Sequence, residues 1–506
     1  MIQSDVLLPP WSTFNSTYSN LDHNSLYDPD MDFCMADDLD FSSSFTSSDV
    51  SSEVSRNLYV PTMFSGGFFE LQNLWDEIQI TSPTEGLESI SSGEIEGVDG
   101  WLNASSDTEE NVTSELPVSE NSMDMLFTYP GDELEIDNQL SLHHLLRAYG
   151  EAMENGQKEL STEIVKSINK KSNPWGTTME RLAFNLFQSK ESEGEYLRQE
   201  LSKNFMKAFM VFYQSFPYGK FAHFTANSAI LQAVPDDAKT IHIVDFDVGE
   251  GIQWPPVFEA ISQKGKSLRF TSIKLEDKCI CSQWDFEGTK KWLYDHARQS
   301  GLKLQIEETS IEDLASGLTR IKKTGPGEEW LVFNCMIRLP HMARRRKRSR
   351  VTDFLKVAKE LLANGGASAG IVTFADGEAQ DSSRTYLGYS SFFDKLLMHY
   401  ETLFESLEQH FHAHLAEART AMETLFLAPY MCPLAWPQDW EESTQGFDLP
   451  ITSLEGQKLS QESLIEAKQI VNERESSYKV EIAGEQEHEM VLEWKGIPLV
   501  RVSTWI

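Results

Sequence analysis

The pattern of apolar and polar positions divides the chain into three parts. Residues 1–137 carry scattered apolar groups without a sustained period, in a background rich in Ser, Asp and Glu. Between 138 and 235 apolar positions recur every three to four residues, which predicts an all-helical cap. From 236 to 506 short apolar runs alternate with helical patterns, which predicts βα repeats and a parallel sheet.

The third part carries five apolar runs that read as strands. They are TIHIVDFD, LRFTSIKLE, LKLQIEE, EWLVFNCM and ASAGIVTFAD, with a helical pattern after each. Right-handed crossovers would join them into a doubly wound, Rossmann-like α/β sheet covered on both faces. YKVEIA and EMVLEWKGIPLVRVSTWI predict two final strands. This layout is that of S-adenosylmethionine methyltransferases, although a fold does not fix a function.

Charge separates the N-terminal arm from the rest. Residues 1–137 hold 28 acidic side chains against one base, Arg56, whereas the remaining 369 residues hold 51 acids and 42 bases. A segment with so much charge of one sign is expected to be disordered. Its apolar groups cluster with acids in MDFCMADDLDF and FFELQNLWDEIQI, a composition typical of transcriptional activation regions. A solvating tail with incidental aromatic residues is the alternative.

A glycine-containing loop follows the first predicted strand, in the stretch IHIVDFDVGEGIQW. Gly249 and Gly251 permit a tight turn after Asp247, and the next predicted strand ends at Glu276, where a ribose-binding acid would lie. These four residues are the candidate cofactor-binding positions. The third small residue of a dinucleotide fingerprint is missing, and Trp254 stands where a ligand would need space. The pattern therefore leaves two readings open, a cofactor loop and a structural turn.

Several ordered motifs resemble those of the GRAS family of plant transcriptional regulators. IHIVDFDVGEGIQW resembles the family's VHIID motif, LHHLLRAYGEAMENG its first leucine-rich region, HYETLFESLEQHF with ARTAMETLFLAPY its PFYRE region, and LEWKGIPLVRVSTW its SAW motif. No Pro opens the PFYRE region, where Thr373 and Phe374 stand instead. The residues that carry the family motifs are His242, Asp245, Trp254, Arg419, Glu423, Trp494 and Trp505.

The resemblance implies a nuclear transcriptional co-regulator. It implies complexes with other GRAS proteins, paired through the cap, where Leu142, Leu145 and Leu146 form a helical stripe. It also implies action at DNA-bound transcription complexes, with direct DNA contact left open. Within the family, the nodulation signalling pathway group and its relatives required for arbuscule development are most similar, which implies a role in root symbiosis. No enzymatic activity and no cofactor are expected; the alternative is a small-molecule methyltransferase or ligand sensor.

A basic run follows the fourth predicted strand, in the stretch MARRRKRSR. It could serve as a nuclear-import signal or contact phosphates, and a solvated loop is the bland alternative. The six bases are Arg344, Arg345, Arg346, Lys347, Arg348 and Arg350.

Cysteine and histidine usage predicts neither disulfides nor a metal site. Cys279 and Cys281 have no second pair, and His410 and His414 have no acid or Cys at ligand spacing. The chain has no run of 18 apolar residues, so no membrane association is expected.

Overall fold

A computed structural model describes residues 133–187, 205–275, 286–321, 329–342, 345–363, 370–379, 388–411, 415–431, 433, 436–444 and 450–506. The prediction of a disordered arm over 1–137 therefore lies almost wholly outside the described residues. The α-helices, numbered α1 to α13, are Glu133–Glu154, Lys158–Lys171, Thr178–Phe187, Phe205–Ser215, Pro217–Ala233, Pro255–Gln263, Phe286–Gln299, Ile311–Ile321, Arg348–Ala363, Tyr389–Glu408, Ala416–Met422, Trp436–Thr444 and Gln461–Ile470.

Among the described residues, eight strands form one sheet in the order β3-β2-β1-β4-β5-β8-β7-β6. The first five strands pair in parallel, and β8 then joins β5 in antiparallel orientation. The predicted doubly wound α/β sheet is confirmed. The strands, β1 to β8, are Thr240–Asp245, Ser267–Ile273, Leu304–Thr309, Glu329–Ile337, Gly370–Asp376, Tyr478–Ala483, Glu489–Trp494 and Ile497–Trp505.

Alternation along the strands gives the sheet two apolar faces. In β1, Ile241 and Ile243 belong to the larger hydrophobic cluster, whereas Val244 belongs to a second, smaller one. The smaller cluster includes Phe354 of α9, and the larger one includes the helices N-terminal to β1. Because successive side chains of a strand point to opposite faces, each central strand contributes to both clusters. Both faces are therefore covered, as parallel strands require.

The C-terminal end differs from the prediction of two strands. The last apolar stretch is divided between β7 and β8 by the turn at Lys495 and Gly496, whose φ angles are 49° and 82°. Two consecutive residues with positive φ are typical of a two-residue hairpin turn whose twist matches that of the flanking strands. The sequence signal was the Lys-Gly pair inside an otherwise continuous strand pattern. The sheet consequently ends in three antiparallel strands.

The predicted helical region corresponds to α1 to α5, but its last helix has a different position from the others. Helix α5 contacts β5, β8 and α13, and it is buried along nearly its whole length. Helices α1 to α3 instead contact one another, and α1 and α3 also contact α10. Helix α5 therefore covers one face of the sheet, and it also contacts the glycine loop.

No helix among the described residues is long and apolar enough to cross a membrane. Nor do three or more His, Cys, Asp or Glu side chains gather in a metal-binding group anywhere in the described part of the chain.

Candidate functional site

The glycine loop leaves the sheet at the carboxyl end of β1, where Asp245 lies between Ser272 of β2 and Asn334 of β4. Gly249 and Gly251 have φ angles of 54° and 76°. These left-handed conformations cost little for glycine and more for other residues, so the two glycines are required by the turn. The loop then enters α6 at Pro255.

Trp254 closes the loop from within. Its side chain is fully buried, and its indole Nε1 donates a hydrogen bond to Asp245 Oδ2 at 2.8 Å. The same oxygen accepts from Asn334 Nδ2 at 3.3 Å, while Oδ1 accepts from the backbone N–H of Asp247 at 2.9 Å. The indole also packs edge-on against Phe270 at a centroid distance of 5.3 Å. Both oxygens of Asp245 are thus used to hold the loop.

Side-chain amides extend this network to the cap side of the sheet. Gln253 and Asn334 exchange two hydrogen bonds, at 3.1 and 3.2 Å, and Thr373 donates to Asn334 Oδ1 at 2.8 Å. Asn227 of α5 donates to the Gln253 carbonyl at 2.8 Å and accepts from its Nε2 at 3.1 Å. All four side chains are buried, so their polar groups need these partners. The network fixes the loop relative to both the sheet and α5.

Asp247, a predicted ligand-binding residue, is instead paired with the basic run. Arg346 Nε donates to its Oδ2 at 2.7 Å, and the two side chains are 7% and 2% exposed. A charge-assisted hydrogen bond this short and this buried neutralises the carboxylate that would have faced a cofactor. The pair joins residues 99 positions apart.

Helix α7 covers the glycines from outside. Thr289 donates a hydrogen bond to the Gly249 carbonyl at 3.0 Å. A Cβ atom at Gly251 would lie 3.1 to 3.2 Å from side chains of Thr289, Trp292 and Leu293, closer than ordinary contact. The close approach that the glycine permits is therefore used by the protein's own helix. Glu276, the predicted ribose-binding acid, lies outside the described residues.

Burial dominates the electrostatics of this strand. Desolvation raises the pKa of Asp245 to about 7, against the opposing effect of its hydrogen-bond donors. Desolvation also lowers the pKa of His242 to about 3, with a smaller contribution from Arg269. His242 Nε2 lies 2.8 Å from the Thr271 hydroxyl, so the neutral ring is hydrogen-bonded across β1 and β2. His242 thus links β1 to β2, and Asp245 links β1 to the glycine loop.

Other members of the basic run also lie against acids or carbonyls. Arg345 pairs with Asp439 and donates to the Tyr430 carbonyl, and Arg350 pairs with Glu312 at 2.5 Å. Lys347 is exposed, Arg348 is half-buried at the start of α9, and Arg344 lies outside the described residues. The run is therefore mainly folded onto the protein, and Lys347 is its most accessible described charge.

The PFYRE motif residues form a second buried cluster, at the junction of the cap with α10 and α11. Arg181 of α3 donates to both oxygens of Glu423, at 3.1 and 3.3 Å, and to Glu408 at 3.0 Å. Arg419 donates to Glu408 at 3.0 Å and lies 3.7 Å from Glu423. Glu423 is fully buried and begins a π-helical segment, Glu423–Leu427, that continues α11. The motif thus binds the cap to the body.

The SAW tryptophans are structural as well. Trp494 is 1% exposed and packs on Tyr478 at a centroid distance of 4.6 Å. Trp505, at the end of β8, belongs to the smaller hydrophobic cluster, beside His488 at 5.5 Å.

The leucine stripe requires a correction. Leu142 and Leu146 are 1% and 0% exposed, and Leu145 is half-buried against the same core. Because α1 packs on α2 and α10, its apolar face is used inside the chain. In this conformation Leu142 and Leu146 cannot contact a partner. The large apolar side chains that the described part of the cap exposes are Leu160, Trp175 and Met206, at 49%, 48% and 47%.

Sequence reasoning also missed a buried cluster at the ends of β4 and β5. Arg338, with a φ of 54°, binds Asp376 through two hydrogen bonds of 2.8 and 2.9 Å and lies 3.3 Å from Glu378. Tyr400 donates to Glu378 at 2.9 Å. The positive-φ arginine after a strand was the available signal, but its partners are distant in sequence.

Together, the sheet order and the glycine turn define a methyltransferase-like α/β scaffold whose ligand loop is filled by its own side chains. The chain belongs to the GRAS family, because residues 142–506 match the GRAS domain family. It is similar to Protein NODULATION SIGNALING PATHWAY 2 of Medicago truncatula, with 29% identity over 59% of this chain and 58% of that protein. The homologous protein of Lotus japonicus is 28% identical over 72% of this chain and 76% of its own length.

The chain thus spans less than two thirds of the Medicago relative. Among solved structures, it matches the crystal structure of SCL7 in Oryza sativa with 23% identity and a TM-score of 0.49, over 72% of this chain and 99% of that one.

Proposed function

We propose that this protein is a nuclear transcriptional co-regulator that works in complexes with other GRAS proteins and serves root symbiosis, in arbuscular mycorrhiza or nodulation signalling. Membership of the GRAS family and the names of the nodulation relatives support this proposal. The observation that best supports this proposal is that the glycine loop is filled by the protein itself. Trp254 takes the space, and Arg346 takes the carboxylate of Asp247, that catalysis with a cofactor would need. The α/β scaffold then serves to present binding surfaces to partner proteins.

The cap is the proposed site of pairing with another GRAS protein. Trp175 is half-exposed, yet its loop is firmly held: its own N–H donates to Asn173 Oδ1 at 3.0 Å, and the neighbouring Pro174 carbonyl accepts from Thr420 at 3.0 Å. A rigid, exposed Trp is the kind of side chain that dominates binding energy at interfaces. Pairing is therefore assigned to the Trp175 surface and no longer to Leu142 and Leu146.

The pairing is tested by co-precipitation of the full chain with a GRAS partner from root cells. Trp175→Asp is expected to lower the recovered partner at least tenfold, because it removes the apolar anchor. Met398→Asp is the matched control, since Met398 is equally exposed on α10, outside the cap. Equal recovery with both variants would contradict the cap assignment.

Nuclear localisation is proposed to depend on the basic run, with Lys347 as its accessible described member. Phosphate contact by the same bases at DNA-bound complexes is the alternative role. Lys347→Glu in a fluorescent fusion should raise the cytoplasmic fraction severalfold, whereas Lys166→Glu on the cap should leave it unchanged. Unchanged distribution with Lys347→Glu would favour the alternative.

The competing hypothesis is a methyltransferase or ligand sensor at the glycine loop. It is tested by calorimetric titration of the folded full chain with S-adenosylmethionine. Flat heats are expected, because the loop's donors and space serve the protein itself. Micromolar binding that is lost in Gly251→Trp would overturn the proposal of a purely regulatory scaffold.

A further inference from the structure

A surface groove of about 620 Å³ lies between α7 and β3. Leu302, Leu304 and Ala297 supply its apolar part, and Tyr294 lines it with its hydroxyl bound to the Ile306 N–H at 3.0 Å. Strand β3 is an edge of the sheet. The carbonyls of Lys303, just before β3, and of Thr309, at its end, accept from β2, so the backbone groups of Leu304, Ile306 and Glu308 face away from β2 toward the edge. Because the Ile306 N–H is already bound by Tyr294, the backbone groups of Leu304 and Glu308 are the ones that a peptide would join there. The groove thus borders an edge that an extended peptide could join.

Basic side chains surround this groove. Lys290, Lys291 and Arg298 line it, and Lys303 is exposed beside it. Two acids also line it, but each forms an exposed pair three residues along α7: Glu287 with Lys290 at 3.5 Å and Asp295 with Arg298 at 3.1 Å. Such surface pairs contribute about 0–1 kcal/mol and exchange readily for a better acid. The groove therefore suits an extended, acidic peptide with apolar side chains on one face.

Residues 31–41 of the same chain, MDFCMADDLDF, have this pattern. Five of the six odd-numbered positions are apolar, and three of the five even-numbered positions are Asp. In an extended segment this period of two places the apolar side chains on one face and these acids on the other. The second acidic segment, FFELQNLWDEIQI, has a helical period instead, which suits the edge of a strand less well.

Chain connection favours this occupant further. The 91 residues between Phe41 and Glu133 could extend to roughly 300 Å at ~3.3 Å per residue, several times the diameter expected of a compact domain. A tethered segment has an effective concentration on the order of millimolar, so a weak site is sufficient to hold it.

We infer that the α7–β3 groove binds residues 31–41 of the same chain as an extended segment along the edge of β3. While bound there, the segment is unavailable to other proteins. That regulatory consequence rests on the proposed function of a transcriptional co-regulator and on a recruiting role for the arm, whose composition is typical of activation regions, whereas the docking itself does not.

The test uses the full chain with the photo-crosslinking residue p-benzoylphenylalanine in place of Lys291. Irradiation followed by peptide mass spectrometry should give crosslinks to residues 31–41 within a single chain. Lys290→Glu with Arg298→Glu should reduce their yield at least fivefold, because the acids then meet acids. Adding Asp38→Lys with Asp40→Lys to that variant should restore most of the yield.

A crosslinker in place of Lys166, exposed on α2, is the matched control and should give no crosslink to 31–41. Crosslinks that map to residues 68–80 or to a second copy of the chain would overturn the inference. A crosslinking yield that stays unchanged in both charge-reversal variants would also overturn the inference. If crosslinking behaves as expected but a transcription reporter is unaffected by releasing the segment, the docking stands and the proposed recruiting role of the arm fails.

Discussion

Two largely buried polar clusters join the cap side of the molecule to its body, and they are built on different principles. Around Asp245 a single carboxylate is held by neutral donors, an indole, an amide and a backbone N–H. Around Glu423 two arginines and two glutamates are held by one another. In the first cluster each group is replaceable by a neutral one of similar shape, whereas in the second the loss of one member leaves an uncompensated charge.

The largest expected effect comes from the charged cluster. Arg181→Met leaves Glu423 fully buried, with Arg419 at 3.7 Å as the remaining basic partner among the described residues. We expect the free energy of unfolding to fall by about 3–5 kcal/mol, measured by urea unfolding of the full chain. Lys166→Met, which breaks an exposed pair on α2, should change it by less than ~0.5 kcal/mol. A loss below ~1 kcal/mol in Arg181→Met would remove the distinction between the two clusters.

The basic run offers the next test, with two neighbouring residues. Arg346→Met should cost about 2–3 kcal/mol of unfolding free energy, because the buried Asp247 loses the charge-assisted hydrogen bond from Arg346. Lys347→Met should cost less than ~0.5 kcal/mol, because its side chain is exposed. Equal midpoints in thermal unfolding would mean that the Asp247–Arg346 pair is not formed in solution.

Trp254→Phe examines the neutral cluster. It keeps an aromatic ring against Phe270 but removes the N–H that binds Asp245 and part of the side-chain volume. We expect a loss of about 2 kcal/mol in unfolding free energy. The matched control is Trp175→Phe, which alters an exposed ring and should stay within ~0.5 kcal/mol. If Trp254→Phe left the free energy of unfolding unchanged, the loop would be held by other contacts.

The smallest effect is a pair of opposing pH dependences in β1. Burial lowers the pKa of His242 to about 3, so the unfolded chain binds its proton first and stability is lost as pH falls below about 6.5. Burial raises the pKa of Asp245 to about 7, so its protonated form stabilises the fold at low pH, and that contribution is lost as pH rises toward 7.

Single variants separate the two contributions in unfolding measurements at pH 7 and 5.5. The quantity compared is the change in the free energy of unfolding from pH 7 to pH 5.5. In His242→Gln this change should be more favourable by about 1 kcal/mol than in the unmodified protein, because the destabilising protonation is removed. In Asp245→Asn the same change in unfolding free energy should be less favourable by about 1–2 kcal/mol than in the unmodified protein. The same pH response in both variants would contradict the assigned shifts.

The sequence predicted this architecture where the signals are local. Alternating strand and helix patterns gave the five parallel strands, and the two glycines gave the turn after β1 with its positive φ angles. The bonds that close the turn could not be predicted in this way. Asn227, Asn334 and Arg346 lie up to 99 residues from their partners, and no period or motif links them.

The leucine stripe shows the same limit within a single helix. The period of Leu142, Leu145 and Leu146 correctly indicates a helix with an apolar face, but a period does not say what that face contacts. Only the packing of α1 on α2 and α10 decides that it lies inside the chain.

The hydrogen bonds between Asn227 and Gln253 have a practical meaning for anyone who divides this protein into fragments. A cut after residue 235 looks natural in the sequence, because a proline and two aspartates separate a helix from a strand. Yet it would remove α5 from the sheet face that it covers and leave the amides of the loop unsatisfied. Fragments that begin at 236 should be insoluble on expression, and exchanges of the helical region between relatives should retain α5 with the sheet.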